Sequence, residues 1–81
     1  MAEIVMNPVR QRIFQYFLLH KTSTVKKIRK ALPDVPSASL YRHIKILTDS
    51  TILMVVGENR IRGTVESVYQ LNEVYVRTLW R

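Results

Sequence analysis

The hydrophobic rhythm of this chain changes once, close to Asp49. Before that point apolar residues return every three or four positions, the spacing that lines one side of a helix. After it, apolar and β-branched residues run together at 52–56 and again at 65–71, with glycines between them. That is the mark of two strands joined by a turn. The order is helices first and hairpin second, and 81 residues leave room for one core only.

Asn7-Pro8 starts the first helix, with Asn at the N-cap and Pro in the first turn. Val9, Ile13 and Phe17 follow at i, i+4 and i+8, with Tyr16 beside them, and form its buried stripe. Phe14 and Leu18 make a second stripe turned away from the first. Two covers for it stay open, a second chain or the C-terminal segment. Residues 1–6 are short and mixed, a loose arm or a strand remnant. Thr22-Ser23-Thr24 supplies the N-cap of a second helix over 25–32, whose Val25, Ile28 and Leu32 face inward. Its Lys26, Lys27, Arg29 and Lys30 face outward. Pro33-Asp34-Val35-Pro36 is a tight connector, because neither proline is tolerated in a helix interior. A third helix follows over 37–48, with Leu40, Ile44 and Leu47 inward.

Residues 57–63, bounded by Gly57 and Gly63, read as a polar turn region. It gives the hairpin a basic tip, with Val68, Tyr69 and Leu71 packing behind it. The last segment, 72–81, can start a helix at Asn72 and carries Val74, Val76, Leu79 and Trp80. The expected fold class is α+β, mostly α, as one domain over 1–81. It is a winged helix-turn-helix: three helices, then a two-stranded β-hairpin wing, with a C-terminal helix starting at 72. The helix-turn-helix occupies about 24–49 and the wing about 52–71.

Thirteen Lys and Arg against six Asp and Glu give a net charge of +7. A pI near 10.3 predicts a polyanionic partner, nucleic acid more often than a membrane surface. The chain has no cysteine, which excludes disulfides, thiolate zinc sites and cysteine nucleophiles. Asp34, Asp49, Glu58, Glu66 and Glu73 are scattered, and no spacing suggests a nucleophile, base and orienting group. Gly57 and Gly63 are the only glycines, so there is no phosphate-cradling loop. An enzyme is the least expected class, and no cofactor or metal is expected. No signal-peptide pattern opens the chain, and no apolar run approaches the roughly 20 residues that span a bilayer. The expectation is a cytoplasmic protein without a membrane partner.

The stretches NPVRQRIFQYF, ALPDVPSASLYRHIKIL and ILMVVGENRIRGTVESVYQLN resemble the winged helix-turn-helix domain of ArsR-type transcriptional regulators. The likeness is to a subgroup whose wing carries ENR-x-RG, then E-x-VY-x-L. It covers about residues 7–72. Its most telling element, SASLYRHI at 37–44, is similar to the family's recognition helix, small-x-Ser/Thr-x-x-Arg-His-Leu. The resemblance implies a regulator, commonly a repressor, that binds duplex DNA sequence-specifically as a homodimer. Two departures stand out. Ser50 and Thr51 occupy the places where the family usually has a small residue and Gly, and Thr is strained in a left-handed backbone. The Cys or His clusters of the metal-sensing branch are missing, so metal sensing does not carry over.

Within that frame the third helix is the reader. Opposite Leu40, Ile44 and Leu47 it presents Ala38, Ser39, Arg42 and Lys45, with Tyr41 at the margin. The small residues let the helix start approach the bases, and Ser37 is placed to donate to a phosphate. Arg42 has the planar fork that grips guanine O6 and N7, worth about 1–3 kcal/mol of discrimination. Tyr41 either donates to a phosphate or packs beside the core. His43 reads as a partly buried core neighbour and His20 as a dipole partner at the end of helix 1. Lys26, Lys27 and Lys30 form either a solvated face or a set of phosphate contacts.

Arg60 and Arg62, at alternate positions, are expected to point together toward a minor groove or the backbone. About six neutralised phosphates per half-site give a log–log salt slope near −5. A dimer interface is expected from Phe14, Leu18, Val76, Leu79 and Trp80, unless Trp80 begins a longer helix. The rival function is a winged helix that binds RNA or a protein partner. It ranks second because most aromatics fall on apolar stripes, with only Tyr41 near the reading face.

Overall fold

The computed structural model describes residues 6–79. The expected arm at 1–6 therefore lies, apart from Met6, outside the described residues, as does Trp80. Helix α1 spans Pro8–Leu19. Asn7 caps it as its neighbours predict: its side-chain oxygen accepts from the amides of Val9 (2.9 Å) and Arg10 (3.3 Å). Ile13 and Phe17 are buried, and Val9, Phe14 and Tyr16 pack partly against the same core. The helix stops where His20 turns to extended backbone while its amide still reaches Tyr16 O at 2.9 Å.

Thr22–Ser23 form a short strand, β1, where a mere break was expected. Tyr16 fixes it to α1 through a 2.7 Å bond between its hydroxyl and that of Ser23. Thr24 then caps α2, Val25–Ala31, accepting from the Lys27 amide at 3.4 Å. Leu32 and Val35 are buried on either side of the proline turn, and α3 runs over Ser37–Asp49. Leu40, Ile44 and Leu47 are its core residues, with His43 buried beside them.

The end of α3 resolves the departure at Ser50-Thr51. Thr51 takes the left-handed conformation itself, at φ 63°. The Ile52 amide bonds to Leu47 O (3.0 Å) and the Thr51 amide to Thr48 O (3.0 Å). This is the Schellman arrangement, completed by the burial of Leu47 and Ile52 together. Threonine thus occupies the glycine position of a regular helix end, at a strain cost.

The hairpin is longer and tighter than its polar sequence suggests. Strand β2 covers Leu53–Ile61 and β3 covers Thr64–Leu71, leaving Arg62 and Gly63 as the turn. Both turn residues have positive φ, 49° and 79°, the two-residue geometry whose twist matches that of the strands. The reading of 57–63 as a turn is thus corrected: residues 57–61 are strand. A ribbon exposed on both faces needs no apolar alternation to pair, so polarity there did not signal a loop. Val56 is passed over by the register between Val55↔Tyr69 and Gly57↔Val68, a β-bulge. β1 pairs with β3 through Thr22↔Gln70 and Ser23↔Tyr69, giving an antiparallel sheet in the order β1-β3-β2.

Asn72 closes the hairpin, its amide bonding to Ile52 O at 2.8 Å. Its side chain accepts from Tyr75 at the start of α4, Glu73–Leu79. Val76 of this helix is buried in the chain's own core. The molecule is α+β, mostly helical, with a hairpin wing after the helix-turn-helix.

Candidate nucleic-acid interface

Burial of Leu40, Ile44 and Leu47 turns the other side of α3 outward. Ser37, Ala38, Arg42 and Lys45 are exposed, Ser39 is half-buried and Tyr41 is 54% exposed. Pro36 takes the N-cap place, and no side chain caps the helix. The first amides of α3 therefore lack a side-chain acceptor, at the positive end of the helix dipole beside small residues. The geometry suits an anion there. Tyr41 settles outward, not against the core.

Lys45 does not stand alone. Its Nζ lies 3.3 Å from Asp49 Oδ2, one turn on, with both side chains largely exposed. The i, i+4 spacing is legible in the sequence, but the pair needs the helix to reach Asp49, one residue past its expected end. Tyr69 was expected to pack behind the wing tip. It packs partly against the core as expected, and also joins Tyr41, Ile44, Lys45, Thr48 and Asp49 in lining an open groove between α3 and the sheet.

The bulge at Val56 determines which side of the wing meets that groove. Cross-strand partners share a sheet face, and faces alternate along a regular strand. Counting from Leu53 by strict alternation would send Arg60 to the far face with Met54. The extra residue shifts the count by one, so Arg60, opposite Val65, shares the face of Tyr69, Leu71 and Leu53. That face looks toward α3. Arg62 sits in the turn, not at an alternate strand position, so the expectation that the two arginines point together by alternation is corrected. Glu66 is on the opposite face and holds Asn59 at 3.2 Å.

Helix α2 exposes Lys26, Lys27, Arg29 and Lys30. Among the described residues none of these, nor Arg42, Arg60 or Arg62, is in an ion pair. Arg12 differs: its Nη1 and Nη2 reach the two oxygens of Asp34 at 2.7 and 2.9 Å, tying α1 to the turn before α3. That bidentate pair holds the Asp34 carboxyl below the usual aspartate range.

His43 is 7% exposed, and its Nδ1 is buried with no hydrogen-bond partner. Burial, then the charges of Arg10 and Arg42, hold its pKa below the ordinary histidine value. His20 sits at the C-cap of α1, where its ring stacks on Tyr16 at 4.3 Å. Of the residues expected at a dimer interface, Val76 belongs to the chain's own core. Phe14 is half-buried against that core, and Leu18 is 62% exposed beside Leu19 at 83%. The side chain of Leu79 lies outside the described residues.

A short helix crossing to a longer exposed basic helix, followed by a hairpin on the same side, defines a winged helix-turn-helix. Residues 5–56 match the family model described as a helix-turn-helix domain, and the chain belongs to that family. The match takes in α1, the helix-turn-helix and the first residues of β2. No curated protein matches the chain. The chain is thus a helix-turn-helix DNA-binding domain, and among the described residues no helix is long and apolar enough to cross a membrane.

Proposed function

We propose that this protein is an ArsR-like, sequence-specific regulator of transcription that binds duplex DNA in the cytoplasm as a homodimer and represses by occupying its operator. One observation carries the reading: Tyr41 and Lys45 on the outward side of α3 line one groove with Tyr69, on the wing face that Arg60 shares. A duplex laid there meets the start of α3 at its base edges and the wing at its backbone. Ser37 and Ser39 flank the free amides, Arg42 reads a base pair, and Tyr41 and Lys45 hold the adjoining strand. Lys26, Lys27 and Lys30 of α2 and Arg60 and Arg62 of the wing supply sequence-independent phosphate contacts.

Selection of genomic fragments by the protein, followed by footprinting, tests the reading. Arg42→Ala is expected to reduce discrimination between selected and random duplexes by about 5- to 100-fold, with affinity for random duplex little changed. Competition by structured RNA at equal or better strength than by duplex assigns the fold to RNA. Retention of neither nucleic acid assigns it to a protein partner.

A further inference from the structure

The described residues make two ion pairs, and the pairs serve different ends. Arg12 and Asp34 join α1 to the turn before α3, so they fix one element on another. Lys45 and Asp49 lie 3.3 Å apart on the same helix and join no two elements. Stability gives little reason for a carboxylate at 49. It is the last residue of α3, where an anion meets the negative end of the helix dipole. A base placed four residues ahead of an acid is also the weaker order of such a pair. Both side chains are largely exposed, where an ion pair adds little to folding.

Its place in the fold supplies another reason. Asp49 and Lys45 line the groove that has Tyr41 of α3 on one wall and Tyr69 of the wing on the other. Lys45 is the only lysine of α3, and one of the chain's six acidic residues stands beside it. A carboxylate oxygen offers the ammonium what a phosphodiester oxygen would offer. A strand entering this groove therefore finds Lys45 engaged and a like charge next to it. We propose that Asp49 is a positioning residue for DNA binding: its carboxylate takes the place of a backbone phosphate at Lys45 in the free protein and yields the ammonium when a strand enters the groove. It holds down affinity for every duplex alike, because phosphates carry no sequence. The inference rests on the reading of α3 as the DNA-reading helix, and it gives Asp49 a role which that reading leaves open.

The test measures binding of one selected and one random duplex across a salt series. It compares wild type with Asp49→Asn, Asp49→Glu, Lys45→Met, the Lys45→Met and Asp49→Asn double variant, and Glu58→Gln. Glu58 is the control: it is exposed on the wing face that Arg60 shares and has no ion pair among the described residues. Its loss removes one negative charge from the same side without freeing Lys45. Asp49→Asn is expected to tighten both duplexes by about 3- to 10-fold and to steepen the salt slope by up to about 1. The slope changes because the freed ammonium displaces a counterion from DNA and leaves no carboxylate behind to recruit one. Asp49→Glu keeps the charge and stays near wild type, and Lys45→Met weakens both duplexes. In the Lys45→Met background the gain from Asp49→Asn falls to that of Glu58→Gln. The Tm of Asp49→Asn is expected to be no lower than that of wild type, which separates the effect from folding. A gain no larger than that of Glu58→Gln, or an equal gain with and without Lys45, overturns the role of Asp49. So does a Lys45→Met variant that binds as wild type. In each of these cases a continuing effect of Arg42→Ala leaves the reading of α3 standing. If Arg42→Ala and Lys45→Met are both without effect, the failure lies in that reading.

Discussion

Thr51 shows how much a single backbone position can demand. Its φ of 63° is one that β-branched residues rarely accept, yet the Leu47–Ile52 closure of α3 requires it there. Glycine would adopt the same conformation without strain, at some cost in unfolded-chain entropy. Thr51→Gly is therefore expected to raise stability by about 1 kcal/mol, or several degrees in Tm for a domain of this size, measured by thermal melting. A lower Tm would show that the Thr51 hydroxyl, bonded to Ser50 O, matters more than the backbone strain. The need for a left-handed residue was legible from the resemblance. That threonine would fill the place unaided was not, because strain is tolerated only where the surrounding packing, here the burial of Leu47 and Ile52 in the core on either side, holds the backbone. The pairing of Arg12 with Asp34 was invisible for a related reason: it joins residues 22 apart through the placement of a whole helix.

At the scale of elements, the helices were legible because each carries a cap and a repeating apolar stripe. Asn7 and Thr24 cap as their types predict, and Ile13, Phe17, Ile28, Leu40, Ile44 and Leu47 are buried. The wing was half legible. Its two strands showed as apolar runs, but the polar stretch at 57–61 pairs as strand, and β1 is too short to carry a pattern. The bulge left no sequence signal, yet it sets which face Arg60 takes. Two outcomes follow for salt-dependent binding measured by retardation or anisotropy. Replacing Arg60 and Arg62 with alanine should weaken all duplexes alike and shallow the slope by about 2. Deleting Val56 should restore strict alternation, turn residue 60 to the far face, and reproduce the Arg60 share of that loss while leaving both arginines in place. Full affinity in the Val56 deletion would remove the wing face from the interface.

For the whole molecule, the open question is what the exposed end of α1 meets. One winged helix spans few base pairs, so two half-sites a helical turn or so apart are the usual source of specificity. Leu18 and Leu19 stand out of the core side by side, and apolar side chains grouped at a surface point to an interface. With Phe14, Leu79 and Trp80 they are the proposed seam, whereas Val76 is withdrawn into the protomer. Sedimentation at micromolar concentration is expected to give the dimer mass, and Leu18→Glu with Leu19→Glu to give the monomer. A monomer in the wild type would remove the dimer from the mechanism. It would also shorten the expected footprint to one half-site.

The amino-acid order alone determined what depends on near neighbours: where helices start, which stripes they bury, where the period changes, and that the surplus of charge is basic. Those properties follow from spacing along the chain, and spacing is what a sequence displays. The three-dimensional fold decided which charged groups keep company. It paired Arg12 with Asp34, buried His43 beside the core of α3, and turned Arg60 toward α3 by one extra residue. Electrostatic partners are set by distance through space, and that distance exists only once the elements have packed.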